Sequence, residues 1–584
     1  MATIIKGKAC DAEQSITLMQ ARLAQIGIEI EVVSWRNPVP GVYSVHIRDK
    51  ACHALFSNGK GSNEAACLAS ALGEFFERLS CHYFFADYYL GQDISASDYV
   101  HYPDERWFVI EDEQWPDDLL NPELIAYFDP DGTLDPSQLF DLNSGAGERG
   151  ICALPFRDEQ QNLIYIPVNI LGNSFVSNGM AAGNTMDEAI VQALSEICER
   201  YVKQQVITQS ICLPLIAEQT MRPFVTTYQA ITAIRDAGYG LRVMDASLGG
   251  KWPVVAVALT VPSTGAVLTS FGAHPCFEVA LERTVTELLQ GRALGDIATL
   301  TPPIFDQEAL MATENIEMHF IDSTGDVPYA LFSACPDYPL SLWDMSGSIA
   351  DTAQQLKDKI TAAGYTIYLA QYTQLGVPVC RICIPGMSDI YPVEDLEWEN
   401  NNEGAVLRSK LLSLSQLSPN VWRKLLVELD AGDYPEDLPV AGWLGLLADK
   451  DSLWSTLRLA ELKLMLLLAL QDPTANEALG RSLPLIHCPE RRRHYYCVQA
   501  LLTIRWDENH QYDHYITGLQ QLYGEKTVDE AMAVVTAKTV FYGLSHSDLT
   551  LSQFTTHQKL LTAYHKVRAA ERLSWPLNKI NPPV

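Results

Sequence analysis

Short runs in which apolar and β-branched residues dominate punctuate the first two thirds of the chain, and longer segments of helical spacing lie between them. Ile164-Tyr-Ile-Pro-Val-Asn-Ile-Leu171, Val254-Val-Ala-Val-Ala-Leu-Thr-Val261 and Thr366-Ile-Tyr-Leu-Ala370 read as strands. Strands interleaved with helices predict an α/β or α+β domain over 1–395. The stretch Glu397-Trp-Glu-Asn-Asn-Asn-Glu-Gly404 breaks both periods, and a linker is read at 396–404. Over 405–584 the strand-like runs vanish, and segments such as Leu453–Gln471 and Thr527–Tyr542 keep a helical period. They predict an all-α domain of helical hairpins, TPR-like in character though without a clean repeat consensus, suited to dimer or partner contacts.

One helical pattern has its polarity inverted. In Ser70-Ala-Leu-Gly-Glu-Phe-Phe-Glu-Arg-Leu79, a helix places Ser70, Glu74, Glu77 and Arg78 on one narrow stripe. Ala71, Leu72, Phe75, Phe76 and Leu79 fill much of the rest, whereas a surface helix has a broad polar face. For this helix alone two readings stand open: carboxylates aimed into a cleft, or an exposed face with Glu74 and Arg78 paired.

The stripe recurs. Gln192-x3-Glu196-x2-Glu199-Arg200 repeats it, and Arg283-x3-Glu287-x2-Gln290 carries it a third time in altered form. Three copies in register favour the cleft. Glycine-rich segments precede the first two copies, Asn58-Gly-Lys-Gly61 and Ser177-Asn-Gly-Met-Ala-Ala-Gly-Asn-Thr185. They are expected to be loops, either simple turns or cradles whose backbone amides approach an anion at a helix start.

Charge narrows the field. A formal charge of −31 argues against broad binding of nucleic acid or anionic membranes. The longest apolar run, Leu464–Leu470, is far too short to cross a bilayer, and Met1–Ser15 lacks a signal-type apolar core, so a cytoplasmic protein is expected. The thirteen cysteines are then reduced thiols, mostly in the core. Cys380 and Cys383 form a C-x-x-C inside a strand-like run, which sets them on opposite faces. His487, Cys488, His494 and Cys497 match no zinc spacing and read as a helix start followed by buried residues.

If the three helices converge, Glu74, Glu77, Glu196, Glu199 and Glu287 share one cleft and cannot all stay ionised without cations. An all-oxygen donor set favours Mg²⁺ held together with substrate phosphates, and Arg78, Arg200 and Arg283 supply fixed positive charge. No P-loop motif occurs. Gly145-Ala-Gly-Glu-Arg-Gly150 matches G-x-G-x-x-G but lacks the strand before and helix after that a dinucleotide-binding turn requires. The position after each Glu-x-x is Glu or Gln, not the His of di-iron bundles.

In order and spacing these three motifs resemble the ATP-binding signature of the YcaO superfamily. The likeness extends along the chain through Trp35-Arg-Asn-Pro-Val-Pro40, Ser44-Val-His-Ile-Arg-Asp-Lys50, Phe271-Gly-Ala-His-Pro275 and Pro385-Gly-Met-Ser-Asp-Ile-Tyr-Pro392. The resemblance implies an enzyme that uses ATP and Mg²⁺ to phosphorylate a peptide backbone amide oxygen, opening the amide carbon to a nucleophile. It implies metal ligands at Glu74, Glu77, Glu196, Glu199 and Glu287. Nucleotide contacts would come from Lys8, Ser15, Ser70, Asn184, Glu188, Arg200, Arg283 and Gln290, with Glu199, Arg200 and Arg283 as the catalytic residues. The branch it most resembles is associated with an accessory role in β-methylthiolation of a small-subunit ribosomal protein, beside a radical-SAM methylthiotransferase. Expected partners are therefore ATP, a peptide or protein substrate, that methylthiotransferase or ribosomal protein, and a second copy of the chain. Azoline-forming members often end in a proline-rich tail that reaches the site; this chain ends Leu577-Asn-Lys-Ile-Asn-Pro-Pro-Val584, which argues against azoline formation. A non-catalytic ATP-binding scaffold and a ligase of glutamine-synthetase type are the alternatives.

Overall fold

The computed structural model describes residues 6–95, 97–110, 115–141, 149–391, 402–432, 434–507 and 509–574. Most of the expected linker, the glycines at 145 and 147, and the final segment 577–584 lie outside them. Helix α1 (Ala12–Ile26) starts on Asp11, whose carboxylate accepts from Gln14 N, and ends at Gly27, whose φ of 84° suits glycine. It packs with α2 (Glu64–Ser80) on a sheet of β1 (Ile30–Val39), β2 (Val42–Asp49) and β3 (Phe56–Gly61) in that order. Strand alternation sends Val45 and Ile47 into the core with Phe75 and Phe76, while Ser44, His46 and Lys60 line a cavity.

Two further sheets follow. The second begins with β4 (Arg106–Phe108), β5 (Ile151–Arg157), β6 (Leu163–Pro167) and β7 (Met180–Ala182). The third is β8 (Gly240–Asp245), β9 (Val254–Thr260) and β10 (Val267–Ala273), with β9 in the middle. The chain then returns to the second sheet with β11 (Tyr368–Tyr372) and β12 (Val379–Cys383), giving the order β4-β5-β11-β12-β7 with β6 on β5. All ladders between these strands are antiparallel. Helix α3 (Met186–Thr208) shares one apolar core with residues of β9, β10 and β12. Helix α4 (Phe277–Leu288) packs with the opposite side chains of β9 and β10 and also touches β3.

From Asn402 on, the described residues form helices and loops without a strand, as expected, around two cores, one of which also takes in Tyr89. The last helix, α5 (Thr555–Ser574), packs back: Leu560, Ala563, Tyr564 and Val567 lie in the same core as Phe75 and Phe76 of α2. His82, just past α2, meets Glu571 at 2.9 Å, and both are buried.

Three local expectations change. The apolar run at 164–171 is a strand only to Pro167, after which Val168–Ile170 turns helical; proline donates no ladder bond. Asn58–Gly61 is not a loop but the end of β3, and Met180–Ala182 within the second glycine-rich segment is β7. Their glycines serve close packing: a Cβ at Gly59 would lie 2.2 Å from Cys67 O, and one at Gly179 2.0 Å from Ile382 O. Cys380 and Cys383 do occupy opposite faces of β12, one in each adjoining core. His494 and Cys497 are buried in the helix Pro489–Trp506.

Candidate functional site

The inverted polarity of α2 has a packing cause. Ala71, Leu72, Phe75, Phe76 and Leu79 are fully buried against the first sheet, α1 and α5, which leaves the polar stripe facing a cavity of about 1090 Å³. All fourteen residues expected to act lie on the wall of that cavity: Lys8, Ser15, Ser70, Glu74, Glu77, Asn184, Glu188, Glu196, Glu199, Arg200, Arg283, Glu287, Gln290 and Arg78. They come from four places in the chain, the N-terminal segment, α2, α3 with the residues before it, and α4 with the turn after it.

Four of the expected nucleotide contacts form one hydrogen-bonded network. Thr185 caps α3, its hydroxyl accepting from Glu188 N, and the buried Glu188 carboxylate accepts from Asn184 Nδ2 at 3.1 Å and from Ala9 N at 3.0 Å. Lys8 Nζ stands 3.1 Å from the same carboxylate, and Ser15 Oγ donates to Asn184 Oδ1 at 2.8 Å. The N-terminal segment is thereby tied to the start of α3.

Deeper in, the carboxylates are drawn to the chain's own cations. Arg78 lies between Glu74, at 3.7 Å, and Glu77, at 3.5 Å, with its guanidinium 4.4 Å from the Tyr83 ring centroid. Arg200 pairs with Glu196 at 2.9 Å, donates to Asn178 Oδ1 and rests over Phe320. Arg283 donates to Gln192 Oε1 at 2.7 Å, joining the second and third copies of the stripe. Lys60 of β3 is ion-paired with Glu287. As a result no three acidic, His or Cys groups among the described residues stand close enough to enclose an ion as they are. Glu199 has neither a hydrogen bond nor an ion pair to a described residue.

Burial pushes the Glu74 carboxyl up and that of Glu77 well above the usual range, while Arg78 pulls both the other way. Glu74 keeps 33% of its side-chain surface exposed, but that surface faces the cavity rather than open solvent. Carboxylates crowded in this way, all of them hard oxygen donors, suit a divalent cation such as Mg²⁺.

Several cavity residues were missed in the sequence. Lys203 donates to His319 O and to Ser323 Oγ, and burial pushes its ammonium down to about 8. It continues the α3 stripe four residues past Glu199, a signal legible in the spacing. Lys60 and His274 gave no such signal; Lys60 was hidden by the reading of its segment as a loop. Burial pushes His274 down to about 3, so a neutral imidazole lies beside the site, its Nδ1 accepting from Cys276 N.

Comparison with known proteins agrees with these features. The family model described as YcaO cyclodehydratase, ATP- and Mg²⁺-binding, matches residues 58–388, and the model of a YcaO cyclodehydratase C-terminal domain matches residues 404–573. The ribosomal protein S12 methylthiotransferase accessory factor YcaO of Escherichia coli strain K12 is 45% identical over 581 residues, 98% of this chain and 99% of that protein. An uncharacterized protein of Haemophilus influenzae is 44% identical over 583 residues, again 98% of this chain and 99% of that one. The solved structure of YcaO from Methanopyrus kandleri bound with AMPPCP and Mg²⁺ is 18% identical with a TM-score of 0.41, covering 66% of this chain and 95% of that one. From the two family models and two near full-length relatives, the chain belongs to the YcaO family of cyclodehydratases, with ATP and Mg²⁺ as its cofactors.

Proposed function

We propose that the cavity binds ATP with Mg²⁺ and that the chain transfers the γ-phosphoryl group to a backbone amide oxygen of a peptide or protein. The observation that carries this reading is the convergence of all three stripe copies on one cavity, with carboxylates and arginines from each. Glu74, Glu77, Glu196, Glu199 and Glu287 would hold the metal, and Lys8, Ser15, Ser70, Asn184, Glu188, Arg200, Arg283 and Gln290 would contact the nucleotide. Bound Mg²⁺ supplies charge that offsets the build-up on the transferring phosphoryl group. Arg200 and Arg283, each fixed by a neutral amide partner, add positive charge without having to reorganise. In the transfer the amide oxygen forms a bond to phosphorus, the bond to ADP breaks, and the amide carbon becomes open to a nucleophile. By likeness to the S12 methylthiotransferase accessory factor, the reaction would assist the methylthiolation of a small-subunit ribosomal protein in a cytoplasmic setting. The helical region, through exposed groups such as Trp506 and Leu522, would meet a second copy or the methylthiotransferase.

Glu199→Gln removes this carboxylate's charge at constant shape. It is expected to abolish ATP hydrolysis while leaving the thermal melt in place, and unchanged turnover contradicts the enzymatic reading. The relative's description as an accessory factor favours a second reading, a scaffold that binds ATP without useful turnover. On that reading Glu199→Gln still supports ribosomal protein modification in cells.

A further inference from the structure

Lys60 stands on β3 between two glycines that bring α2 close, and its side chain enters the cavity. It is ion-paired with Glu287 of α4; burial and the nearby Arg283 disfavour its charge, and Glu199, Glu196 and Glu74 favour it. Charges from all three stripe copies therefore meet at one group. Arg78 and Arg200 also act across the first two copies, but their direct partners are Glu74 and Glu77 for Arg78 and Glu196 and Asn178 for Arg200, while Arg283 is held by Gln192, Lys8 by Glu188 and Lys203 by His319 O and Ser323 Oγ. Lys60 is the one of these cations whose direct ion pair joins β3 to the third copy.

Carboxylates in a confined space must bind protons or be balanced by a cation, and one ammonium meets that need when no metal is present. The oxygens that hold Lys60 cannot at the same time ligate a divalent ion. We propose that Lys60 is the exchange cation of this cluster, holding Glu287 in the metal-free site and yielding it to Mg²⁺ only when nucleotide arrives. Metal binding is thereby tied to ATP binding, because the displaced ammonium needs a new anion and the phosphates provide one. This rests on the assignment of Glu287 as a metal ligand under Proposed function.

Lys60→Met removes the charge at similar length, and Lys60→Arg keeps it; Lys60→Gln replaces the methionine variant if that one does not fold. Mn²⁺ binding is measured by electron paramagnetic resonance without nucleotide, and ATP binding by calorimetry in EDTA. The neutral variant is expected to take Mn²⁺ about tenfold more tightly than the wild type and metal-free ATP about tenfold more weakly. The arginine variant should follow the wild type in both. A general loosening of the site would weaken both ligands, so the opposed signs are diagnostic. Equal Mn²⁺ affinities in the wild type and the neutral variant overturn the inference, while Mn²⁺-dependent ATP binding by the wild type keeps the site assignment standing. A wild type that shows no Mn²⁺-dependent ATP binding overturns both.

Discussion

Glu188 is buried with 3% of its surface exposed, yet it is supplied with donors from Lys8, Ala9 and Asn184. A charge removed from water this far needs them, since a buried polar group without partners costs roughly 1–3 kcal/mol. Asn184→Ala strips the carboxylate of one donor group and frees Ser15 Oγ of its amide partner. The variant should lose about 1–3 kcal/mol of stability by denaturant titration and bind ATP more weakly. Wild-type values for both would show that the network does not organise the site. Arg200 and Arg283 follow the same logic with different partners, each held by a side-chain amide before any ligand arrives.

Elements position these residues through contacts that leave no room for a side chain. At Gly59 a methyl group would fall 2.2 Å from Cys67 O and 2.6 Å from Ala71 N, so Gly59→Ala must push α2 off β3. An expected cost of about 1–3 kcal/mol, read by denaturation, should come with weakened nucleotide binding as the stripe and Lys60 move apart. Gly73, inside the same helix, meets nothing within 4 Å. There alanine should stabilise by about 0.5–1 kcal/mol through helix propensity alone. Opposite signs for two glycines fourteen residues apart test the packing account. The stripe on α2 was legible from spacing because helix periodicity and inverted polarity both survive in a single sequence. The glycines were legible as special but not as packing glycines, because the atoms they admit come from another element: Cys67 for Gly59, Ile382 for Gly179. Lys60 was invisible for the same reason, its partner Glu287 being 227 residues later, the difference between 287 and 60.

At the scale of the whole molecule the helical region and the α+β region are joined through α5, whose Tyr564 and Val567 lie in the core of the first sheet and α2. Deleting 405–584 therefore exposes that core, and loss of activity on such a deletion would not by itself indicate a partner site. Sequence periodicity gave helices here but not this return, since helical spacing says which face is apolar and not what covers it. Buried histidines are spread over the same structure. Burial pushes His274 and His319 down to about 3 and His494 and His557 to about 4. Each lies below its unfolded value near 6.5, so the unfolded chain binds protons that the native one refuses. The stability these four histidines contribute is fully present above about pH 6.5 and is lost as pH falls towards 4. Asp389, pushed up to about 7 by burial, works in the opposite sense over that range. Glu74 and Glu77, which burial also raises, work as Asp389 does, so the histidine contribution is read as a difference between proteins. The melting temperature of a His557→Gln variant should fall less from pH 6.5 to 4 than that of the wild type, and parallel profiles would contradict the burial of that side chain. The central claim, that three copies of one stripe build a metal-nucleotide site, is tested most directly by calorimetry of ATP binding with and without Mg²⁺. The comparison is between the wild type and the Glu196→Gln, Glu199→Gln double variant. Mg²⁺-dependent binding in the wild type that disappears in the folded variant is the expected result. Equal binding by both proteins, or none by either, would return the carboxylates to the role of ion-paired helix faces.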